Sequence, residues 1–97
     1  MTKMKTTSKN KVIYLITTYK CSACKCMEYL LKEKQANNPT FELKIIDFND
    51  TPEWLKVNVV LTDFPTVVLI KDGIIKYQFV GTRNSKKLDK IFNDLEF

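Results

Sequence analysis

Two rhythms of apolar residues alternate along the chain. Val12-Ile13-Tyr14-Leu15-Ile16 is an unbroken apolar run of mostly β-branched and aromatic residues, the pattern of a strand buried on both faces. From Ser22 the spacing changes. Cys24, Met27, Leu30 and Leu31 recur at intervals of three and four, with Lys25, Glu28, Lys32 and Glu33 between them. This predicts an amphipathic helix of about four turns, closed before the Asn37-Asn38-Pro39 turn signal. Phe41 to Phe48 reads as a second strand, since Phe41, Leu43 and Ile45 alternate with Glu42 and Lys44. Asp50-Thr51-Pro52-Glu53 sets a capping residue just before a proline, which predicts a short helix through about Asn58. Thr66 to Ile70 is a third strand, Asp72-Gly73 a hairpin turn, and Ile74 to Val80 a fourth strand broken by Gly81. A last helix begins at Ser85 and carries the stripe Leu88, Ile91, Phe92 and Leu95.

The predicted order is β-α-β, a short helix, then β-β-α. A crossover helix makes the first two strands parallel, and the hairpin makes the last two antiparallel. The expected architecture is therefore α/β: a four-stranded mixed sheet with helices on both faces. At 97 residues, 44% of them hydrophobic, the chain fits one domain. Residues 1–10 are polar, basic and aperiodic and read as a flexible tail, leaving 11–97 for the domain. There is no internal repeat and no low-complexity tract. The lone Trp54 on the short helix is expected to be a packing anchor, with a ligand contact as the alternative.

No apolar run approaches the roughly 18 residues that cross a bilayer, so no membrane role is expected. Val12–Ile16 is also too short for the apolar region of a secretory signal. A cytoplasmic location follows as an expectation, and there cysteines serve chemistry more often than structural disulfides. Sixteen Lys and Arg against eleven Asp and Glu give a net charge of +5, which reads as a solvated surface. Arg83 is the sole arginine and the lysines are scattered, which argues against nucleic-acid binding. Histidine is absent, which removes imidazole bases, His-containing triads and every zinc site that needs an imidazole.

The chemistry concentrates in Cys21-Ser22-Ala23-Cys24, where the first strand hands over to the first helix. A helix N-terminus offers unpaired N–H groups and partial positive charge, both of which favour a thiolate over a thiol. Lys20 and Lys25 add charge nearby. Cys21 at the tip is expected to be the nucleophile, with a lowered pKa, and Cys24 one turn down the resolving thiol. A pair of ordinary core cysteines is the competing reading. Half of a zinc site is another, but no second pair exists to complete it and no metal is expected. Cys26 lies about 200° around the helix from Cys24 and reads as a small residue partly buried beside a neighbouring element; a regulatory or metal-binding third thiol is the alternative.

With this pair in place, the sequence resembles the thioredoxin superfamily over about residues 11–96. Phe64-Pro65-Thr66 matches the family's X-Pro-Thr segment, followed by an apolar strand, a Lys71-Asp72-Gly73 turn and Gly81 after the last strand. The resemblance implies the minimal thioredoxin-like fold, without the extra N-terminal strand and helix. It implies a thiol–disulfide oxidoreductase that reduces protein disulfides through Cys21 and Cys24. It further implies a cis Phe64–Pro65 bond whose free backbone groups pair with an extended substrate, against the simpler reading of Pro65 as an edge-strand proline. Lys20, Phe64, Pro65, Gly81 and Thr82 are the expected substrate-binding residues, although Gly81 also reads simply as a strand-end turn. No bound cofactor is expected, since electrons would come from a thioredoxin reductase or glutathione, and the protein is expected to be a monomer. The chain departs from the family where a tryptophan before the first cysteine becomes Lys20 and a buried aspartate becomes Leu15. A glutathione-dependent glutaredoxin and a non-catalytic thioredoxin-like binding module are the alternatives; the glutaredoxin Gly-Gly-x-Asp segment is missing.

Overall fold

A strand with apolar residues on both faces needs cover on both sides and neighbours on both edges, and β1 (Lys11–Thr17) has all four. The structure is a computed structural model that describes residues 10–37 and 39–97. The expected tail falls on residues 1–10, of which only Asn10 is among those described. The remaining elements are α1 (Ser22–Asn37), β2 (Glu42–Asp47), α2 (Glu53–Lys56), β3 (Thr66–Lys71), β4 (Ile74–Val80) and α3 (Ser85–Asp94).

The sheet order is β2-β1-β3-β4. Strand β2 runs parallel to β1, from Val12 opposite Glu42 to Thr17 opposite Asp47. Strand β3 runs antiparallel on the other side, with Ile16 opposite Thr66, and β4 is antiparallel to β3 with Thr66 opposite Val80. Asp72 and Gly73 join β3 to β4 with φ of 55° and 79°. Two consecutive left-handed residues make the tight turn whose twist matches the strands it joins.

Each sheet face carries its own core, because successive strand residues point to opposite sides. On one face Ile13, Leu15, Val67, Leu69 and Phe79 pack against Met27 and Leu31 of α1 and Leu88 of α3. On the other, Ile16, Val68 and Ile70 pack against Leu55 of α2 and Val59. Lys34 of α1 ties the two long helices together by donating to Ser85 Oγ at 2.6 Å and Asp89 Oδ1 at 2.7 Å.

Two local expectations are corrected. Thr51 does not cap α2: its hydroxyl donates to Asp47 O at 3.1 Å, and extended Pro52 occupies the cap position without a side-chain bond. The cause is a 3-10 turn, Phe48–Asp50, which follows β2 at once and draws Thr51 back towards the strand. Trp54 is not a buried anchor but stays 48% exposed, meeting Tyr14 edge-on at 5.8 Å. A single helical turn has one inward position, and Leu55 fills it.

Candidate functional site

Chain direction gathers the site at one end of the sheet. β1, β2 and β4 finish there and β3 begins there, so the loop leading to Cys21, the residue Asp47, the Phe64–Pro65 bond and Gly81 all belong to that end. Lys20, at φ 55°, turns the chain from β1 into α1. Cys21 then stands just before the first helical residue, Ser22.

Cys21 and Cys24 are joined by a disulfide, with their Cα atoms 5.2 Å apart. The Cys24 N–H also donates to Cys21 Sγ at 3.1 Å, and the Lys25 N–H to Cys21 O at 3.4 Å. Cys21 therefore accepts the first helical bond through its carbonyl and satisfies, through its sulfur, one of the N–H groups that every helix start leaves unpaired. Its sulfur occupies the place an N-cap oxygen would take, and a sulfur held there gains most from that N–H when it is negative. Cys21 is half-buried and Cys24 is buried. One sulfur can meet an incoming disulfide while the other waits behind it.

Both cysteines open on a cleft of 440 Å³ lined by Thr17, Thr18, Tyr19, Lys20, Lys25, Glu28 and Asp47. Tyr19 is 81% exposed, with the Lys20 ammonium 5.5 Å from its ring centre. Leu15 lies between Ile45 and Val67 and is fully buried, so the sheet beneath the cysteines is apolar. Asp47, Glu28 and Tyr19 were not among the residues the sequence singles out. The available signal for Asp47 was its place at the end of a strand parallel to β1.

The other expected residues form a second group. Phe64–Pro65 is cis, and the Gly81 N–H donates to Pro65 O at 2.8 Å. Gly81 has φ 87°, a left-handed backbone that favours glycine. Thr82 is exposed, and next to it the Arg83 N–H donates to Met27 Sδ at 3.4 Å, fastening this loop to α1. The Phe64 side chain turns away into the α2 face, edge-on to Phe48 at 5.5 Å. Cys26, expected to be partly buried, is a free and exposed thiol. It lies on the side of α1 opposite the buried Cys24, Met27 and Leu31, where no element among the described residues covers it. Among the described residues no cluster of three or more His, Cys, Asp or Glu side chains could hold a metal ion, and no helix is long and apolar enough to cross a membrane.

A vicinal dithiol at a helix start, oxidised in place beside a solvent cleft, defines a thiol–disulfide oxidoreductase. No family model matches the sequence, and no curated protein does. Solved structures do. Mitochondrial thioredoxin 3 from Saccharomyces cerevisiae, in its oxidised form, is 27% identical, with a TM-score of 0.73 over 91% of this chain and 81% of that one. A chain from a structure on thiol resolution in yeast mitochondrial 1-Cys peroxiredoxin through glutathione/thioredoxin systems is also 27% identical, with a TM-score of 0.72 over 90% and 81%. Fasciola hepatica thioredoxin shares the fold at 22% identity, with a TM-score of 0.73 over 91% and 83%. The chain belongs to the thioredoxin superfamily.

Proposed function

We propose that this protein reduces disulfides in other proteins through its Cys-Ser-Ala-Cys dithiol, in the cytoplasm and as a monomer. The observation that carries the reading is the asymmetry of the pair. Cys21 is half-buried at the helix start with an N–H on its sulfur, and Cys24 is buried behind it. The Cys21 thiolate attacks one sulfur of the substrate disulfide, that S–S bond breaks, and the leaving thiolate takes a proton. The Cys24 thiolate then attacks Cys21 Sγ and expels the second substrate thiolate. Two electrons pass to the substrate, and the protein is left as the disulfide described above. Phe64 and Thr82 supply backbone for an extended substrate segment, Pro65 and Gly81 hold that rim in place through their mutual hydrogen bond, and Lys20 supplies charge at the rim.

Sulfur-to-sulfur exchange needs no bound cofactor or metal. A thioredoxin reductase restores the dithiol; glutathione is the other donor, and Lys20, with its exposed cationic side chain on the cleft, favours testing it. Insulin-disulfide reduction tests the whole reading. Cys21→Ser abolishes it, and Cys24→Ser accumulates a mixed disulfide on Cys21. Full activity in Cys21→Ser refutes the assignment. Recycling by reductase in parallel with recycling by glutathione identifies the donor.

A further inference from the structure

The exchange just described leaves one proton without a carrier, and the inference that follows rests on that reading. Before Cys24 can attack Cys21 it must lose its thiol proton, yet Cys24 is buried and the chain contains no histidine. The sheet beneath offers only Leu15 and its apolar neighbours. Acceptors must come from the cleft, whose lining holds two carboxylates, Glu28 and Asp47. Glu28 of α1 is paired with Lys32 at 2.9 Å along the exposed side of the helix. Asp47 is different. It is half-buried at the end of β2, where pairing with Thr17 fixes its backbone against the strand that leads to Cys21. Its Oδ2 accepts the Asn49 N–H at 2.9 Å, and among the described residues no hydrogen bond engages Oδ1. The cleft it shares with Cys24 has room for several waters, at about 30 Å³ each.

We propose that Asp47 is the proton acceptor for Cys24, through water in this cleft, during resolution of the mixed disulfide. The Cys24 S–H bond breaks and its proton passes to Asp47 Oδ1. The Cys24–Cys21 bond forms as the Cys21–substrate bond breaks. The electron pair leaves on the substrate sulfur, which is protonated in turn by Asp47. When the protein is reduced again, Asp47 takes up a proton from solvent water and passes it to the Cys24 sulfur.

Stopped-flow reaction of the reduced protein with limiting 5,5′-dithiobis(2-nitrobenzoate) separates the steps, in a Cys26→Ser background that removes the exposed thiol. Attack by Cys21 releases the first thionitrobenzoate in a concentration-dependent phase. Resolution by Cys24 releases the second in a unimolecular phase. Asp47→Asn keeps an oxygen for the Asn49 N–H, so the first phase stays within about twofold while the second slows about tenfold at neutral pH and recovers in alkali. Asp47→Ser, which can also cap the turn but holds no acid, gives the same split, and Glu28→Gln changes neither phase. The proposal is overturned by an unaltered second phase in both Asp47 variants, by equal slowing of the two phases, or by a loss that alkali does not relieve. A second phase that survives Cys24→Ser refutes the dithiol reading itself.

Discussion

Leu88 is the one fully buried residue of α3, at 0% exposure, and it holds the helix to the sheet face that also packs Met27 and Leu31. Ile91, Phe92 and Leu95 flank it but stay partly exposed. Truncating it to alanine removes buried methyl groups and leaves a hole between two elements that cannot both close in, because Lys34 already fixes their spacing through Ser85 and Asp89. Leucine-to-alanine changes in such settings cost about 2–5 kcal/mol. A domain of this size has about 5–15 kcal/mol in total, so Leu88→Ala removes a large share of its stability. Taking about 3 kcal/mol, and about 4–8 °C per kcal/mol for a small domain, Tm falls by about 12–24 °C. Urea unfolding followed by circular dichroism measures the loss, with the denaturant slope held constant as the check for two-state behaviour. The control is Lys90→Ala on the exposed side of the same helix, which removes only a surface pair with Asp94 at 3.3 Å and costs at most about 1 kcal/mol. A loss under about 1 kcal/mol for Leu88→Ala, or an equal loss for Lys90→Ala, refutes the claim that this one residue anchors the helix.

Two further outcomes are expected. Gly81→Ala loses about 1–2 kcal/mol in a melting experiment from backbone conformation alone, since φ is 87° and a Cβ there meets nothing within 4 Å; an unchanged Tm contradicts it. Native oxidised protein titrates as a single thiol with a maleimide, at Cys26, and rises to three after reduction, as mass spectrometry of the labelled chain reads directly; protection of Cys26 in the native state contradicts the exposure described.

Most of the architecture was legible because it rests on local rules. The continuous apolar run at 12–16 required a central strand, and Asp72-Gly73 required a tight antiparallel turn. The cysteine pair was legible for the same reason, since a strand followed by a helix fixes where a helix start must be. Other features depend on which element happens to cover a given face. Cys26 and Trp54 sit at positions whose periodicity says which way they point but not whether anything lies above them. Thr51 was drawn into the turn after β2 by Asp47, a competition between two acceptable caps that residue type alone does not decide. Asp47 itself reaches the cleft only through the parallel pairing of β1 with β2, a long-range register that no motif encodes.

The Asp72–Gly73 turn has a practical side. It lies at the pole of the sheet opposite the cysteines, separated by strands of six and seven residues that span about 20 Å. Asn10 is bound to the same pole, its carbonyl accepting the Asp72 N–H at 2.7 Å. A surface linker joined at the Asp72–Gly73 turn thus leaves from the back of the molecule, and a protein immobilised there presents its disulfide outward to solution. A reporter loop grafted into the turn shares that orientation. The molecule comes with a handle at one end and its tool at the other.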